Sequence, residues 1–159
     1  MFEKKKYSYK VLLSKMMRYC AMEEKCAFDV KQKLYNLNTD KSEIDKIIDY
    51  LNEENFINEE RYVAAFIKGK MNSRKWGKLK IANALAQKQI DSKIVAQYFE
   101  ENVREENYQN NLDNILLKKL EELKRKDLEP QKIKEKLFYF ASSKGYEKNL
   151  IFDFFNKYL

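Results

Sequence analysis

The chain has 159 residues, 44% of them apolar and 36% charged, with three Gly, one Pro and no His. That is length for one ordinary domain or a few small modules, and too little Gly and Pro for a turn-rich β-sandwich. No apolar run approaches the ~18 residues a membrane span needs, and the net charge of +7 directs attention to polyanions.

The N-terminal stretch MFEKKKYSYK is basic and lacks the apolar core of a signal peptide, so a cytoplasmic protein is expected. Tyr9, Leu12, Leu13, Met16, Met17 and Cys20 recur at helical spacing and predict a first helix with one apolar face. Cys20 and Cys26 fit no common zinc spacing, and no His completes a site. They read as small apolar residues, with no metal, cofactor or disulfide expected. A second helix starts near Ala27, with Phe28, Val30, Leu34 and Leu37 inward. Asn36 and Asn38-Thr39-Asp40 break it, and Asp40 or Ser42 caps a third carrying Ile44, Ile47, Ile48 and Leu51.

Phe56 and Ile57 close this first group. Asn58 is the natural N-cap of the next helix, with Glu59 and Glu60 placed where acids complement the helix dipole. That helix runs through Tyr62, Val63, Phe66 and Ile67 toward Met71. Residues 72–77 form a loop, and a helix with Leu79, Ile81, Ala82, Ala84 and Leu85 follows. Asp91 caps another, with Ile94, Val95, Tyr98, Phe99 and Val103. The longest predicted helix holds Leu112, Ile115, Leu116, Leu120 and Leu123. Pro130 is placed like an N1 proline of a helix with Ile133, Leu137, Phe140 and Ala141, which Gly145 ends. Leu150, Ile151, Phe154, Phe155 and Tyr158 mark the last.

The anchors Leu34, Leu85 and Leu137 lie 51 and 52 residues apart. The expected fold is therefore all-α: three tandem three-helix repeats, at residues 9–57, 58–105 and 106–159, forming an elongated, curved solenoid. Such units cannot bury their apolar faces alone and stack to do so, so most aromatic residues are expected in the packing.

Charge is distributed unevenly along the repeats. Residues 21–60 carry five bases and eleven acids, whereas residues 61–93 carry nine bases and one acid. The candidate surface for a partner or DNA is Lys68, Lys70, Arg74, Lys75, Trp76, Lys78, Lys80 and Lys88, with Lys70, Arg74, Lys75 and Lys78 expected to be largely solvated at a helix–loop–helix junction. Trp76 either anchors a partner or packs between repeats. Arg61 is expected to pair with an acid across the first repeat boundary. Catalysis is not expected: there is no His to act as a base and no Gly-rich phosphate loop. The adjacent pairs Glu23-Glu24, Glu53-Glu54 and Glu59-Glu60 diverge by ~100° on a helix.

Two phrases carry a family resemblance. Ile57-Asn58-Glu59-Glu60-Arg61-Tyr62-Val63-Ala64 is one. The other is Gly77 before the Ile81–Leu85 helix, followed by Lys88-Gln89-Ile90. On these the chain resembles the RecX family of recombinase regulators, over about residues 9–159, most specifically over 24–100. It departs where Cys26 stands near the place of a usual Ser or Thr helix cap, and where Gln89 replaces a usual Gly. The resemblance implies a non-enzymatic, monomeric protein that binds the RecA recombinase filament on single-stranded DNA and dampens its ATPase and recombination activity. Some proteins similar to RecX also bind DNA directly, which adds single- or double-stranded DNA as a candidate partner. From the residues alone a second reading stays open: a helix-turn-helix transcription factor that presents Asn83 and Gln87 of the basic middle repeat to base edges.

Overall fold

The structure, a computed structural model, describes residues 6–159, so the first half of the basic N-terminal stretch lies outside it. Among the described residues there are nine α-helices and no strand: α1 (Tyr9–Met22), α2 (Ala27–Asn36), α3 (Lys41–Glu53), α4 (Glu59–Ser73), α5 (Lys78–Gln87), α6 (Ser92–Asn102), α7 (Glu105–Lys124), α8 (Pro130–Lys144) and α9 (Lys148–Tyr158). The fold is all-α, and none of these helices is long and apolar enough to cross a membrane.

Two compact units can be distinguished. The first contains residues up to Ala65 together with Lys88–Ile90. Its core is the set of stripes read from the sequence: Leu12, Met16 and Cys20 of α1, Val30 and Leu34 of α2, and Ile44, Ile47, Ile48 and Leu51 of α3, closed by Ile57. Side chains of this size each contribute ~1.5–3 kcal/mol when fully buried, which is why three short helices hold together. The second unit contains Phe66–Gln87 and Asp91–Leu159. Its buried residues include Ile81 and Leu85 of α5, Leu112, Leu116 and Leu120 of α7, Leu137 and Ala141 of α8, and Ile151 and Phe154 of α9. Leu79 departs from the expected α5 stripe and is 56% exposed, because two residues, about 200° of helical rotation, put it on the face opposite Ile81.

The caps follow local chemistry. Ser8 Oγ accepts from the Val11 N–H, Asn58 Oδ1 from the Arg61 N–H at 2.8 Å, and Asp91 Oδ1 from the Lys93 N–H at 2.9 Å. Cys26 is the N-cap of α2, the position where Ser or Thr is usual. Its N–H and its thiol both meet the Asp29 carboxylate at 3.3 Å, so Asp29 supplies the polar end that the cysteine lacks. At the helix ends, Asn38 and Gln89 adopt left-handed φ values of 56° and 60°. Gln89 thus keeps the conformation a Gly would favour, at the cost of placing a Cβ there.

Candidate nucleic-acid and partner interface

The α4–α5 junction is built by one left-handed residue and two glycines. Lys75 has φ of 55°, which turns the chain so that the Trp76 N–H returns to the Lys70 carbonyl at 3.1 Å. Gly77 then enters α5 against the end of α8. Its N–H donates to the Lys144 carbonyl at 2.7 Å, and the Leu79 N–H donates to the Gly145 carbonyl at 3.0 Å. Between them the Lys78 N–H donates to the Tyr108 hydroxyl at 2.8 Å. The C-terminal carbonyls of α8 and one tyrosine of α7 thereby satisfy three of the N–H groups that α5 would otherwise leave open.

Approach this close requires glycine. A Cβ on Gly77 would stand 2.3 Å from the Gly145 oxygen. Gly145 has φ of 93°, and a Cβ there would stand 2.3 Å from Lys80 Cβ. Tyr108 is itself fixed: its ring stacks on Tyr146 with centroids 5.2 Å apart, and its hydroxyl donates to Glu147 Oε2 at 2.8 Å. Burial pushes the Tyr108 phenol far above its ordinary pKa, so it stays protonated and donates its hydrogen bond to Glu147.

On this frame the predicted cations fall into three groups. Lys68, Arg74 and Lys75 are exposed. Lys70, Lys78 and Lys80 are half-buried because their stems lie along aromatic rings. Ammonium groups of Lys70 and Lys80 sit 4.9 and 4.6 Å from the Trp76 centroid, and that of Lys78 sits 4.7 Å from the Tyr108 centroid. Lys80 Nζ also donates to the Ser143 carbonyl at 3.2 Å. The expectation that Lys70 and Lys78 are largely solvated is thus corrected: rings hold their stems. Trp76 is half-buried within the second unit, carrying two of the cations. Among the described residues, none of these six cations forms a salt bridge with a carboxylate.

Lys88 belongs to a different setting, in the first unit. Its Nζ donates to Asp29 Oδ1 at 2.7 Å and lies 5.5 Å from the Tyr62 centroid. Burial alone would lower the Lys88 pKa, but the bonds to Asp29 and Tyr62 outweigh it and raise it. Burial would likewise raise Asp29, yet the Lys88 and Cys26 bonds hold its carboxyl below the usual value of 3.8. Both members therefore stabilise the folded state between about pH 4 and pH 10. The Asp29 share is lost as pH falls through its depressed pKa, and the Lys88 share as pH rises through its raised one. Lys88→Met should cost about 1–3 kcal/mol at pH 7, and urea unfolding curves of variant and parent should converge as pH falls below about 4. An equal loss at pH 3 would refute the pairing as its cause. Arg61 is also placed structurally. Its Nε donates to Glu24 Oε1 at 2.6 Å, and its Nη2 donates to the Asn55 carbonyl at 3.0 Å.

Sequence reasoning missed Tyr108, Glu147 and Lys144, which complete the α5 entry from residues far along the chain. A hint was present in the pairing of Gly77 with a second glycine, Gly145, in a chain that has only three.

Residues 58–98 match the model of the second three-helix domain of RecX. The chain is 36% identical over 118 residues to the regulatory protein RecX of Clostridium beijerinckii, covering 74% of this chain and 54% of that relative. It is 32% identical over 124 residues to the same-named protein of Clostridium botulinum strain Alaska E43, covering 78% and 57%. The chain thus spans about half the length of these curated relatives. A crystal structure of RecX from Lactobacillus salivarius shares the fold, with a TM-score of 0.80 at 17% identity, covering 94% of this chain and 95% of that one. A second crystal structure of a regulatory protein RecX gives 0.83 at 17% identity, covering 93% and 73%. With the second three-helix domain recognised in its middle and relatives of one name along most of its length, the chain belongs to the RecX family.

Proposed function

We propose that this protein is a regulator that binds the RecA recombinase filament on single-stranded DNA and inhibits its ATPase and recombination activity. The relatives are named regulatory proteins, and membership of their family gives the reading its class. The observation that carries it is the set of six cations at the α4–α5 junction without a carboxylate partner among the described residues. Clustered cations without a carboxylate partner suit a phosphate run or an acidic ridge, since no ion pair has to be broken on binding. The assignment of the nine helices to three repeats, at 9–57, 58–105 and 106–159, and the monomeric, cytoplasmic, non-enzymatic character belong to the same proposal.

The helix-turn-helix alternative is less well supported. A recognition helix brings its N-terminal residues to base edges, whereas the α5 N-terminus is covered by α8 and Tyr108. The test is recombinase ATPase on single-stranded DNA with the protein titrated in. Hydrolysis should slow at or below stoichiometric amounts, with co-sedimentation of protein and filament. Unchanged hydrolysis together with no co-sedimentation would remove the reading.

A further inference from the structure

A second basic surface is built from cations that are none of those singled out in the sequence. Packing of α7 against α8 leaves an open groove of about 580 Å³. Lys119 of α7 and Lys126 of the turn after it line one side, Lys132 and Lys136 of α8 the other, with Phe140 and Tyr139 along it. Lys132, Lys136, Tyr139 and Ser143 follow the spacing of one helical face, a track of ~16 Å.

The charges in this groove are available. Lys119 and Lys126 share one carboxylate, Glu122, at 3.1 and 3.4 Å, and Lys132 pairs with Glu135 at 3.4 Å with both side chains more than half exposed. Exposed pairs of this kind hold weakly and exchange readily for a stronger anion. Lys136 forms no salt bridge among the described residues. Tyr139 is 77% exposed, the most open of the tyrosines, while its neighbour Phe140 lies beneath the ammonium groups of Lys119 and Lys144. The groove also runs toward the α4–α5 junction. Ser143 at its end accepts from Lys80, and the adjacent Lys144 donates from Nζ to the Arg74 carbonyl at 3.2 Å.

We infer that the α7–α8 groove is a binding site for single-stranded nucleic acid, its lysines following consecutive phosphates and the Tyr139 ring stacking on an unpaired base. Two features select this occupant. An acidic peptide would satisfy the lysines and leave Tyr139 without a role, and a duplex keeps its base faces stacked inside. Lysine rails with a solvated aromatic platform match how single strands are held without regard to sequence. The inference concerns the protein alone with nucleic acid, so it stands or falls separately from the recombinase reading.

Fluorescence anisotropy of a labelled oligo-dT with the full chain, and no recombinase present, tests it. Binding should weaken with salt. Lys132→Glu with Lys136→Glu should weaken it on the order of tenfold or more. Tyr139→Ala should weaken it ~5-fold or more, and Tyr139→Phe should restore it, because stacking needs the ring and not the hydroxyl. Melting temperatures of these surface variants should stay near the parent's, which separates lost binding from lost folding. Three results would each overturn the site: no binding of the oligonucleotide by the parent, variants that bind like the parent, or a Tyr139→Ala loss that is equal for duplex DNA. Competition by polyglutamate as strong as by oligo-dT would assign the groove to an acidic protein segment instead. Slowed recombinase ATPase beside failed oligonucleotide binding would leave the proposed function intact and remove only this site.

Discussion

Gly77→Ala should destabilise the protein by at least about 3 kcal/mol and lower its melting temperature by roughly 10 °C or more. The added methyl would fall 2.3 Å from the Gly145 oxygen and 2.6 Å from the Tyr146 nitrogen, and these are backbone atoms that no side-chain rotation can move aside. Relief requires separating α5 from α8, which breaks the bonds from Gly77 to Lys144 and from Leu79 to Gly145. Gly145→Ala should be as damaging for a different reason, since it adds a left-handed φ of 93° to a contact of 2.3 Å with Lys80 Cβ. The third glycine provides a control of opposite sign. Gly69 lies inside α4, and a Cβ there meets nothing within 4 Å. Gly69→Ala should stabilise by about 0.5–1 kcal/mol, through lower backbone entropy in the unfolded chain. Thermal and urea unfolding of the three variants would measure all of this. Little loss in Gly77→Ala would mean that the α5–α8 approach is looser than described.

Arg74→Glu combined with Lys75→Glu should weaken binding to recombinase filaments on the order of tenfold or more, with the melting temperature nearly unchanged. Both side chains are exposed and neither holds a carboxylate, so reversing them breaks no internal ion pair. Each reversal removes a cation from the polyanion and adds repulsion. The residual salt dependence should be shallower than the parent's, since fewer counterions are released. Lys70 and Lys78 give a less direct test, because their ammonium groups lie over Trp76 and Tyr108 and their replacement also disturbs packing. A folded Arg74/Lys75 variant that binds filaments like the parent would place the partner surface elsewhere.

These expectations also mark what the sequence could disclose. The stripes of α3 and α7 are legible because burial on one face imposes a 3.6-residue period, and Ile44, Ile47, Ile48, Leu51, Leu112, Leu116 and Leu120 are all buried. The caps Asn58, Asp91, Pro130 and Gly145 are legible because their chemistry is local. Lys88 is not legible in the same way. Counting charge along a segment groups it with Arg74, and only the fold brings Asp29, 59 residues away, to its ammonium group. Nor could an aromatic count distinguish Tyr108, buried and bonded on both sides, from Tyr139, almost wholly in water. The requirement for glycine at 77 is readable as a pattern, while its cause lies at 145, across four intervening helices.

That separation has a consequence for the order in which a ribosome delivers the chain. The first unit has all of its residues once synthesis has passed Ile90. The second unit does not: the amides of Gly77 and Leu79 wait for carbonyls of Lys144 and Gly145, and the Tyr108 hydroxyl waits for Glu147. While the intervening residues emerge, α5 is a short helix with an open, electropositive start and no tertiary support, of a length that is marginal on its own in water. The nascent protein therefore passes through a stage with one half folded and the other half still dependent on residues not yet made, a stage in which the basic middle segment is most open to proteases and chaperones.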